Sequence, residues 1–337
     1  MILHLDLKDN GYDIVIERGS LNKASQYLNL NRKVLILTDE GVPSEYSDKV
    51  KALSKEGYIY TVKQGEGSKS IPVFSEVLSF MLSKGFSRKD CVVAVGGGVC
   101  GDLAGFVAAS FMRGIDFYNI PTTVLSQVDS SIGGKTAVNL DGIKNIVGAF
   151  YQPKKVLVDL DVLKSLPNRQ ISNGLAEAVK MALTFDDDLF KLFEEEDPLL
   201  NMDKIITRSL ELKKMVVEQD EKEAGLRKVL NFGHTIGHGI ESFEELNGLY
   251  HGECVSLGML PMCDPDVRER LIRVLNKLNL PTSIKLDKEK TYEALTHDKK
   301  SSAGSVTIVY VTSVGNYELK DVPLTDMMDK LSLFEEN

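Results

Sequence analysis

The first residues of the chain alternate between hydrophobic and polar positions on either side of a turn. Residues 3–7 and 12–17 each alternate, and Asp9-Asn10-Gly11 lies between them. Alternation turns one face of a strand toward a core, and an Asn-Gly pair favours the tight turns of hairpins. The pattern therefore predicts an N-terminal β-hairpin.

Short runs rich in Val, Ile and Leu follow through the first half of the chain. They cover residues 33–39, 59–62, 91–95, 115–120 and 155–160, and residues 71–83 have the spacing of an amphipathic helix. Continuous apolar runs of this length are typical of strands in a sheet that is covered on both faces. The first half is therefore predicted to be α/β.

From residue 161 onward the apolar positions recur mainly at helical spacing. Helices are predicted over residues 171–184, 202–218, 265–278, 289–295 and 324–333, with a small hairpin at 305–311 and 317–319. We therefore predict an α/β N-terminal nucleotide-binding domain over residues 1–160. A mainly α-helical C-terminal domain, over residues 161–337, is predicted to bind metal and substrate.

Net charge and cysteine content limit the classes of protein to which this chain can belong. The net charge of −9 over 337 residues argues against non-specific binding to nucleic acid or to an anionic membrane. The four cysteines form no CxxC pair, and no secretory signal precedes the first strand, so reduced thiols and a cytoplasmic location are expected. Glycines interrupt the apolar run at 91–112, so we expect no membrane span there.

A glycine-rich turn lies between the apolar run at 91–95 and the segment that follows. Gly96, Gly98 and Gly101 satisfy the GxGxxG pattern, which lets a backbone approach a pyrophosphate at a helix N-terminus. Asp39 ends an earlier strand, where a ribose is often bound in α/β folds. The alternatives are a glycine turn for tight helix packing and, for Asp39, a helix cap.

Polar and Gly-rich segments that contain lysine then lie between apolar stretches, a mixture that an ordinary solvated loop does not require. Thr122 and Thr123 follow a strand, and the Gly-rich segments 127–135 and 141–145 lie between apolar stretches. Lys135 and Lys144 are suited to bind a phosphate or a carboxylate.

Three of the five histidines fall within residues 230–253. His234 and His238 are four residues apart, so on a helix they share one face and could bind a metal together. A carboxylate plus two histidines is a known catalytic zinc set, and spacing leaves Glu177 and Glu253 both open as its third member. The alternative is that the pair is only polar surface.

The helical half also presents Lys180, Lys213, Arg227 and Asn231. Glu223, Arg227 and Asn231 follow one another at four-residue steps just before His234. We expect these side chains to face a common cleft of the helical domain.

Several motifs, in this order along the chain, closely resemble those of the 3-dehydroquinate synthase family. They are Gly96-Gly-Gly-Val-Cys-Gly-Asp102, Pro121-Thr-Thr, Asp129-Ser-Ser-Ile-Gly-Gly-Lys135, Lys144-Asn145, Gly225-Leu-Arg-x-x-Leu-Asn-Phe-Gly-His-Thr-x-Gly-His238, His251-Gly-Glu253 and Asp298-Lys-Lys300. The resemblance implies a phosphate-eliminating lyase that depends on NAD and zinc, with cobalt as a substitute, and forms a homodimer. It would convert 3-deoxy-D-arabino-heptulosonate 7-phosphate (DAHP) to 3-dehydroquinate and phosphate in the shikimate pathway of aromatic amino-acid biosynthesis.

The resemblance also implies the course of the reaction. NAD oxidises a ring alcohol, phosphate is eliminated, the NADH just formed reduces the ketone, and ring opening with aldol closure follows. A Lewis acid would lower the pKa of the alcohol, and cationic groups would bind the phosphate and the carboxylate. Both hydride steps use one bound cofactor, so no net redox change results.

By position, the resemblance implies roles for individual residues. The zinc ligands would be Glu177, His234 and His251, so His238 would face the substrate phosphate instead of the metal. NAD would contact Asp39, Glu66, Lys69, Gly98, Val99, Cys100, Gly101, Asp102, Thr122, Thr123, Lys135, Lys144 and Ser165, where the family usually has Thr. The substrate would contact Arg113, Asp129, Lys135, Lys144, Asn145, Lys180, Lys213, Arg227, Asn231, His238 and one of Lys299 and Lys300.

The chain departs from the family pattern after Met259. Pro261 and Pro265 replace the continuation of a longer helix, which proline cannot join, so residues 260–280 are expected to be shortened. Three rival functions remain open: a related sugar-phosphate cyclase that closes a different ring, a metal- and NAD-dependent polyol dehydrogenase, and a non-catalytic nucleotide- or phosphosugar-binding protein.

Overall fold

The computed structural model describes residues 1–244, 248–298 and 304–334 and divides the chain into two compact units, Met1–Pro167 and Asn168–Asn337. The predicted boundary at residue 160 lies before this division. Leu160–Ser165 is a 3-10 helix that packs in the first unit, where the Tyr46 hydroxyl contacts the Val162 carbonyl (3.2 Å) and the Ser165 hydroxyl (3.1 Å).

A seven-stranded sheet forms the centre of the first unit. In chain order the strands of this unit are β1 (Ile2–Leu5), β2 (Tyr12–Ile16), β3 (Lys33–Asp39), β4 (Glu56–Val62), β5 (Cys91–Gly96), β6 (Asp116–Pro121), β7 (Lys135–Leu140), β8 (Ile143–Phe150) and β9 (Lys155–Val158). The sheet has the order β1-β2-β9-β6-β5-β3-β4, and β7 and β8 form a separate antiparallel hairpin. β1 and β2 are antiparallel, whereas the other neighbours are parallel.

Hydrophobic side chains cover both faces of this sheet. The helices are α1 (Ser44–Leu53), α2 (Ile71–Ser83) and α3 (Gly98–Ser110). Val34 and Ile36 of β3 pack in a core with Val50 of α1, whereas Leu35 and Leu37 pack in a second core with α2 and α3. This alternation explains why β3 is an uninterrupted apolar run.

The fold class is confirmed, and so are most of the predicted elements. The N-terminal hairpin forms, and β3 and α2 have the predicted bounds. The sequence pattern did not identify β7 and β8, which begin at the end of the polar segment 127–135 and within the polar segment 141–145. β8 exposes most of its residues, so it lacks the apolar run that identified the other strands.

The second unit consists of helices and one hairpin. The helices are α4 (Asn168–Phe185), α5 (Asp187–Glu195), α6 (Met202–Gln219), α7 (His234–Glu244), α8 (His251–Met259), α9 (Pro265–Lys277), α10 (Lys288–Asp298) and α11 (Asp326–Leu331), and the hairpin strands are β10 (Ser305–Ser313) and β11 (Asn316–Pro323). α8 ends just before Pro261, as proline requires, and a short 3-10 turn leads to α9. In the described part of the chain, no helix has the length and apolar character to cross a membrane.

Candidate active site

Three potential metal ligands meet in the second unit. Glu177 lies in α4, whereas His234 and His251 are the first residues of α7 and α8. Oε1 of Glu177 is 3.6 Å from Nε2 of His234 and 3.4 Å from Nε2 of His251. Tetrahedral zinc with bonds of about 2.1 Å has ligand atoms roughly 3.4 Å apart, so the spacing fits such an ion.

Close packing of α7 on α8 brings the two histidines together. A side chain on Gly258 would place its Cβ 2.6 Å from the backbone nitrogen of Gly237, and a Cβ on Gly237 would lie 3.1 Å from the Cys254 carbonyl. Only glycine allows the two backbones to approach this closely. Because both histidines begin their helices, this approach places their rings 5.3 Å apart, centre to centre.

Hydrogen bonds at the opposite ring nitrogens orient both imidazoles. Nδ1 of His234 lies 3.1 Å from the Phe232 carbonyl, which can only accept, so that nitrogen carries the proton. Nδ1 of His251 lies 3.2 Å from Oε2 of Glu241. Each contact directs the Nε2 atom toward Glu177, an arrangement typical of metal-binding histidines.

The electrostatics of the group are dominated by buried charge. Glu177 is fully buried, and within the described residues neither of its oxygens receives a hydrogen bond of normal geometry. Burial alone would raise the pKa of Glu177, but Lys180 and the two histidines hold it well below its ordinary value. The buried Lys180 pairs with Oε2, so Oε1 faces the histidines.

The two histidines differ in protonation. Burial lowers the pKa of His234 to about 3, so its Nε2 lone pair is available at neutral pH. Burial also acts to lower the pKa of His251, but contacts with Glu177 and Glu241 outweigh it and raise that pKa to about 10. A cation bound here would replace the proton on His251. One carboxylate oxygen and two imidazole nitrogens at this spacing therefore fit a zinc-like ion.

The pairing suggested by sequence spacing is not found in the described part of the chain. His238 belongs instead to a second potential ligand group with Glu241 and His251. The carboxylate of Glu253 has other partners. Arg169 donates to both of its oxygens, at 2.6 and 2.7 Å, and the backbone nitrogen of Tyr250 donates to Glu253 at 2.8 Å.

Several of the predicted substrate residues lie in the same unit. Lys180, Lys213 and Arg227 are cations with 1%, 5% and 3% of their surfaces exposed. A cavity of about 530 Å³, within the usual range for small-molecule sites, is lined by Asn231, His234 and His238 and by residues of β10 and β11. Lys299 and Lys300 lie outside the described residues.

The predicted nucleotide residues lie in the first unit. β6, β5 and β3 are parallel neighbours, so Thr122, the glycines from Gly96 and Asp39 follow the carboxyl ends of adjacent strands, where nucleotides bind in such sheets. Asp39 accepts from the Gly41 backbone nitrogen at 2.8 Å, and the Cys100 thiol lies 3.1 Å from its other oxygen. The helix starting at Gly98 directs its N-terminus to the same edge.

The remaining predicted residues occupy different segments of the first unit. Arg113 ends a 3-10 helix with a left-handed backbone (φ 68°), Asp129 lies in the π-helix Ser126–Ser130, and Lys135 begins β7. Lys69 is buried and donates to Asp102 at 2.7 Å and to Asn145 of β8. The hydroxyl of Ser165 contacts the Tyr46 hydroxyl of α1 at 3.1 Å.

Sequence reasoning missed two residues at these sites. Glu241 lies seven positions after His234 on the same helix, a spacing that could have identified it. Asn139, which contacts Glu66 and Asn145, gives no signal in the sequence, because its role depends on a hairpin that was not predicted.

Comparison with known families accounts for this combination of sites. Residues 59–173 match the 3-dehydroquinate synthase N-terminal model, and residues 174–301 match the 3-dehydroquinate synthase C-terminal model. The chain belongs to the 3-dehydroquinate synthase family. The resemblance inferred from the motifs is therefore confirmed.

Curated members of the family align with nearly the whole chain. A 3-dehydroquinate synthase of Streptococcus thermophilus is 39% identical over 353 aligned positions, which cover 98% of this chain and 99% of the relative. One from Enterococcus faecalis is 40% identical over 348 positions and covers 97% of each chain.

Solved structures of two other synthases share the fold. A 2-deoxy-scyllo-inosose synthase complexed with carbaglucose-6-phosphate, NAD+ and Co2+ superposes with a TM-score of 0.89 at 25% identity, covering 99% of this chain and all of that one. A 2-epi-5-epi-valiolone synthase from Streptomyces hygroscopicus with NAD+ and Zn2+ gives 0.88 at 26% identity, with 98% of each covered. A probable glycerol dehydrogenase from Sinorhizobium meliloti is 18% identical with a TM-score of 0.60, which indicates a shared fold alone.

Proposed function

We propose that this chain is a 3-dehydroquinate synthase that converts DAHP to 3-dehydroquinate and phosphate, using NAD and one zinc ion. The observation that carries the proposal is the group formed by Glu177, His234 and His251, at ligand spacing, in a member of this family. Identities of about 40% to curated synthases exceed the 25–26% to cyclases of other names, which favours DAHP over their substrates.

We propose that the metal ligands are Glu177, His234 and His251, and that NAD binds at the glycine-rich turn of the first unit. When both are bound, the metal would act as a Lewis acid that polarises a ring hydroxyl, and NAD would act as a reversible hydride acceptor. Zinc is favoured by the mixed oxygen and nitrogen donors, and related structures contain Zn2+ or Co2+.

The protein's own contribution is to hold a highly charged substrate. DAHP carries a carboxylate and a phosphate, and Lys180, Lys213 and Arg227 offer buried positive charge in a protein that is acidic overall. Charge-assisted hydrogen bonds from such donors are stronger than neutral ones, and burial strengthens them further. Asn231 and His238, on the wall of the cavity beside the metal ligands, would orient the phosphate.

Purified protein gives the direct test. We expect phosphate release from DAHP to be lost on treatment with a chelator and to return when zinc is added, with metal analysis close to one ion per chain. A six-carbon sugar phosphate is the control substrate and should release no phosphate. Turnover of that substrate but not of DAHP would support a cyclase of another specificity; no turnover of either would support a binding protein.

The oligomeric state and the cellular location complete the proposal. We infer a homodimer in the cytoplasm, since the family resemblance implies a dimer and the cysteines form no disulfide. Light scattering at micromolar concentration measures the mass, and a value near that of one 37.3 kDa chain would contradict the dimer.

A further inference from the structure

Asn139 on β7 uses three of its polar groups to join two segments of the first unit. Its backbone nitrogen donates to the Lys69 carbonyl at 2.7 Å, and its side-chain Nδ2 donates to Oε1 of Glu66 at 2.9 Å. Its Oδ1 accepts from the Asn145 backbone nitrogen at 2.8 Å. One half-buried amide therefore contacts both the loop after β4 and strand β8.

The strand pairing is irregular at this position. The register between β7 and β8 shifts between Val138 and Leu140, so Asn139 lies at a bulge where regular ladder hydrogen bonds stop. Asn145, on the opposite strand, has a left-handed backbone with φ 57°. Asn is one of the few residues other than glycine that adopts this conformation, and here the Asn139 oxygen binds its backbone nitrogen.

The partners of Asn139 also contact one another. Nζ of the buried Lys69 donates to Asn145, donates to Asp102 at 2.7 Å, and lies 3.5 Å from Oε1 of Glu66. The same Glu66 oxygen accepts from Asn139. The amide of Asn139 and the ammonium of Lys69 therefore hold the same Glu66 oxygen between them.

We propose that Asn139 is a positioning residue that holds Glu66 for the cofactor through Nδ2 and Asn145 for the substrate through Oδ1. The inference rests on the proposed function and on the roles that the family resemblance implies, which are NAD for Glu66 and Lys69, and DAHP for Asn145. Its distinctive feature is that the two arms of one side chain serve different ligands.

Two substitutions distinguish the contact made by Nδ2 from the contact made by Oδ1. Asn139→Ala removes both contacts, so we expect the Kd for NAD and the KM for DAHP at saturating NAD each to rise about 5- to 20-fold. Asn139→Asp keeps an oxygen for the Asn145 nitrogen but places a carboxylate against Glu66. It should raise the Kd for NAD at least as much as Asn139→Ala does, while the KM for DAHP stays within about twofold of wild type.

The control is Asp141→Asn, in the same hairpin turn, where the residue is exposed and Asn tolerates the left-handed backbone (φ 51°) equally well. Calorimetry with NAD gives the Kd, a phosphate-release assay gives the KM, and circular dichroism checks that each variant is folded. We expect the control to leave both constants unchanged.

Two results would overturn the proposal: a folded Asn139→Ala variant with both constants within twofold of wild type, or Asn139→Asp raising both constants as Asn139→Ala does. The second result would mean that the hairpin is simply loosened. Failure of the proposed function would be visible separately, as wild-type protein that binds NAD but releases no phosphate from DAHP. The effect of Asn139 on NAD binding would then still be tested by the Kd from calorimetry.

Discussion

Replacing Glu241 should weaken metal binding even though Glu241 is outside the group proposed to bind the metal. Its Oε2 lies 3.2 Å from Nδ1 of His251, and its side chain is only 16% exposed. Loss of such a partner to a metal-bound histidine typically lowers metal affinity by about 10- to 100-fold, or roughly 1.4 to 2.8 kcal/mol. We expect about tenfold for Glu241→Gln, which keeps an acceptor oxygen, and a loss nearer the upper value for Glu241→Ala.

The assay is competition for zinc between the metal-free protein and a chromophoric chelator. Ser242→Ala is a matched control, because this exposed hydroxyl on the same helix donates only to a helix carbonyl among the described contacts. His238→Gln is a second control, since His238 belongs to the other potential ligand group. We expect both controls to bind zinc within about threefold of wild type.

Two results would refute this reasoning. Wild-type zinc affinity in Glu241→Ala would mean that His251 is oriented without the carboxylate. An equal loss of affinity in His238→Gln would mean that the ion binds among His238, Glu241 and His251 instead.

Three other predictions follow from the same contacts. His251→Ala should abolish zinc binding and turnover while calorimetry still detects NAD binding, and full activity in that variant would contradict the ligand assignment. Asp159→Ala should lower the free energy of unfolding by about 3 to 5 kcal/mol in urea titrations, because the buried carboxylate accepts three backbone N–H groups at 2.9 Å. Asp159→Asn should lower the free energy of unfolding by less, and an equal or larger loss in that variant would argue against this account. Burial acts to raise the pKa of Asp220, but the backbone N–H groups of residues 224, 225 and 227 hold it below 3.8. The stability difference between wild type and Asp220→Asn should therefore be constant above about pH 5 and shrink as the pH falls through the lowered pKa; a difference that persists at pH 2 would contradict it.

The pattern of apolar residues was sufficient for the main architecture. β3 and α2 were predicted with their final bounds, since each is buried in a way that leaves a simple periodic signal. The β7–β8 hairpin was missed for the opposite reason. Its second strand exposes Ile143, Ile146 and Phe150 and lies outside the main sheet, so burial imposes no clear pattern on it.

Spacing along the chain does not identify the whole group of potential ligands around His234. Helical periodicity pairs His234 with His238, but it cannot show that α8 packs on α7 closely enough to bring in His251, or that α4 supplies Glu177. The family resemblance implies Glu177 and His251 as ligands because it compares whole motifs instead of distances along one helix. Asn139 was not predicted because its contacts are with other segments, whereas the spacing of Glu241 from His234 on α7 could have identified it.

The most direct test of the central claim measures phosphate and NADH in the same reaction. Wild-type protein, zinc, excess DAHP and NAD at a small fraction of the DAHP concentration should release one phosphate per DAHP over many turnovers per NAD. Absorbance at the wavelength of NADH should not accumulate, because the cofactor reduced in the first hydride step is reoxidised in the same cycle. NADH that builds up in proportion to substrate consumed, with little phosphate released, would identify a dehydrogenase and contradict the account.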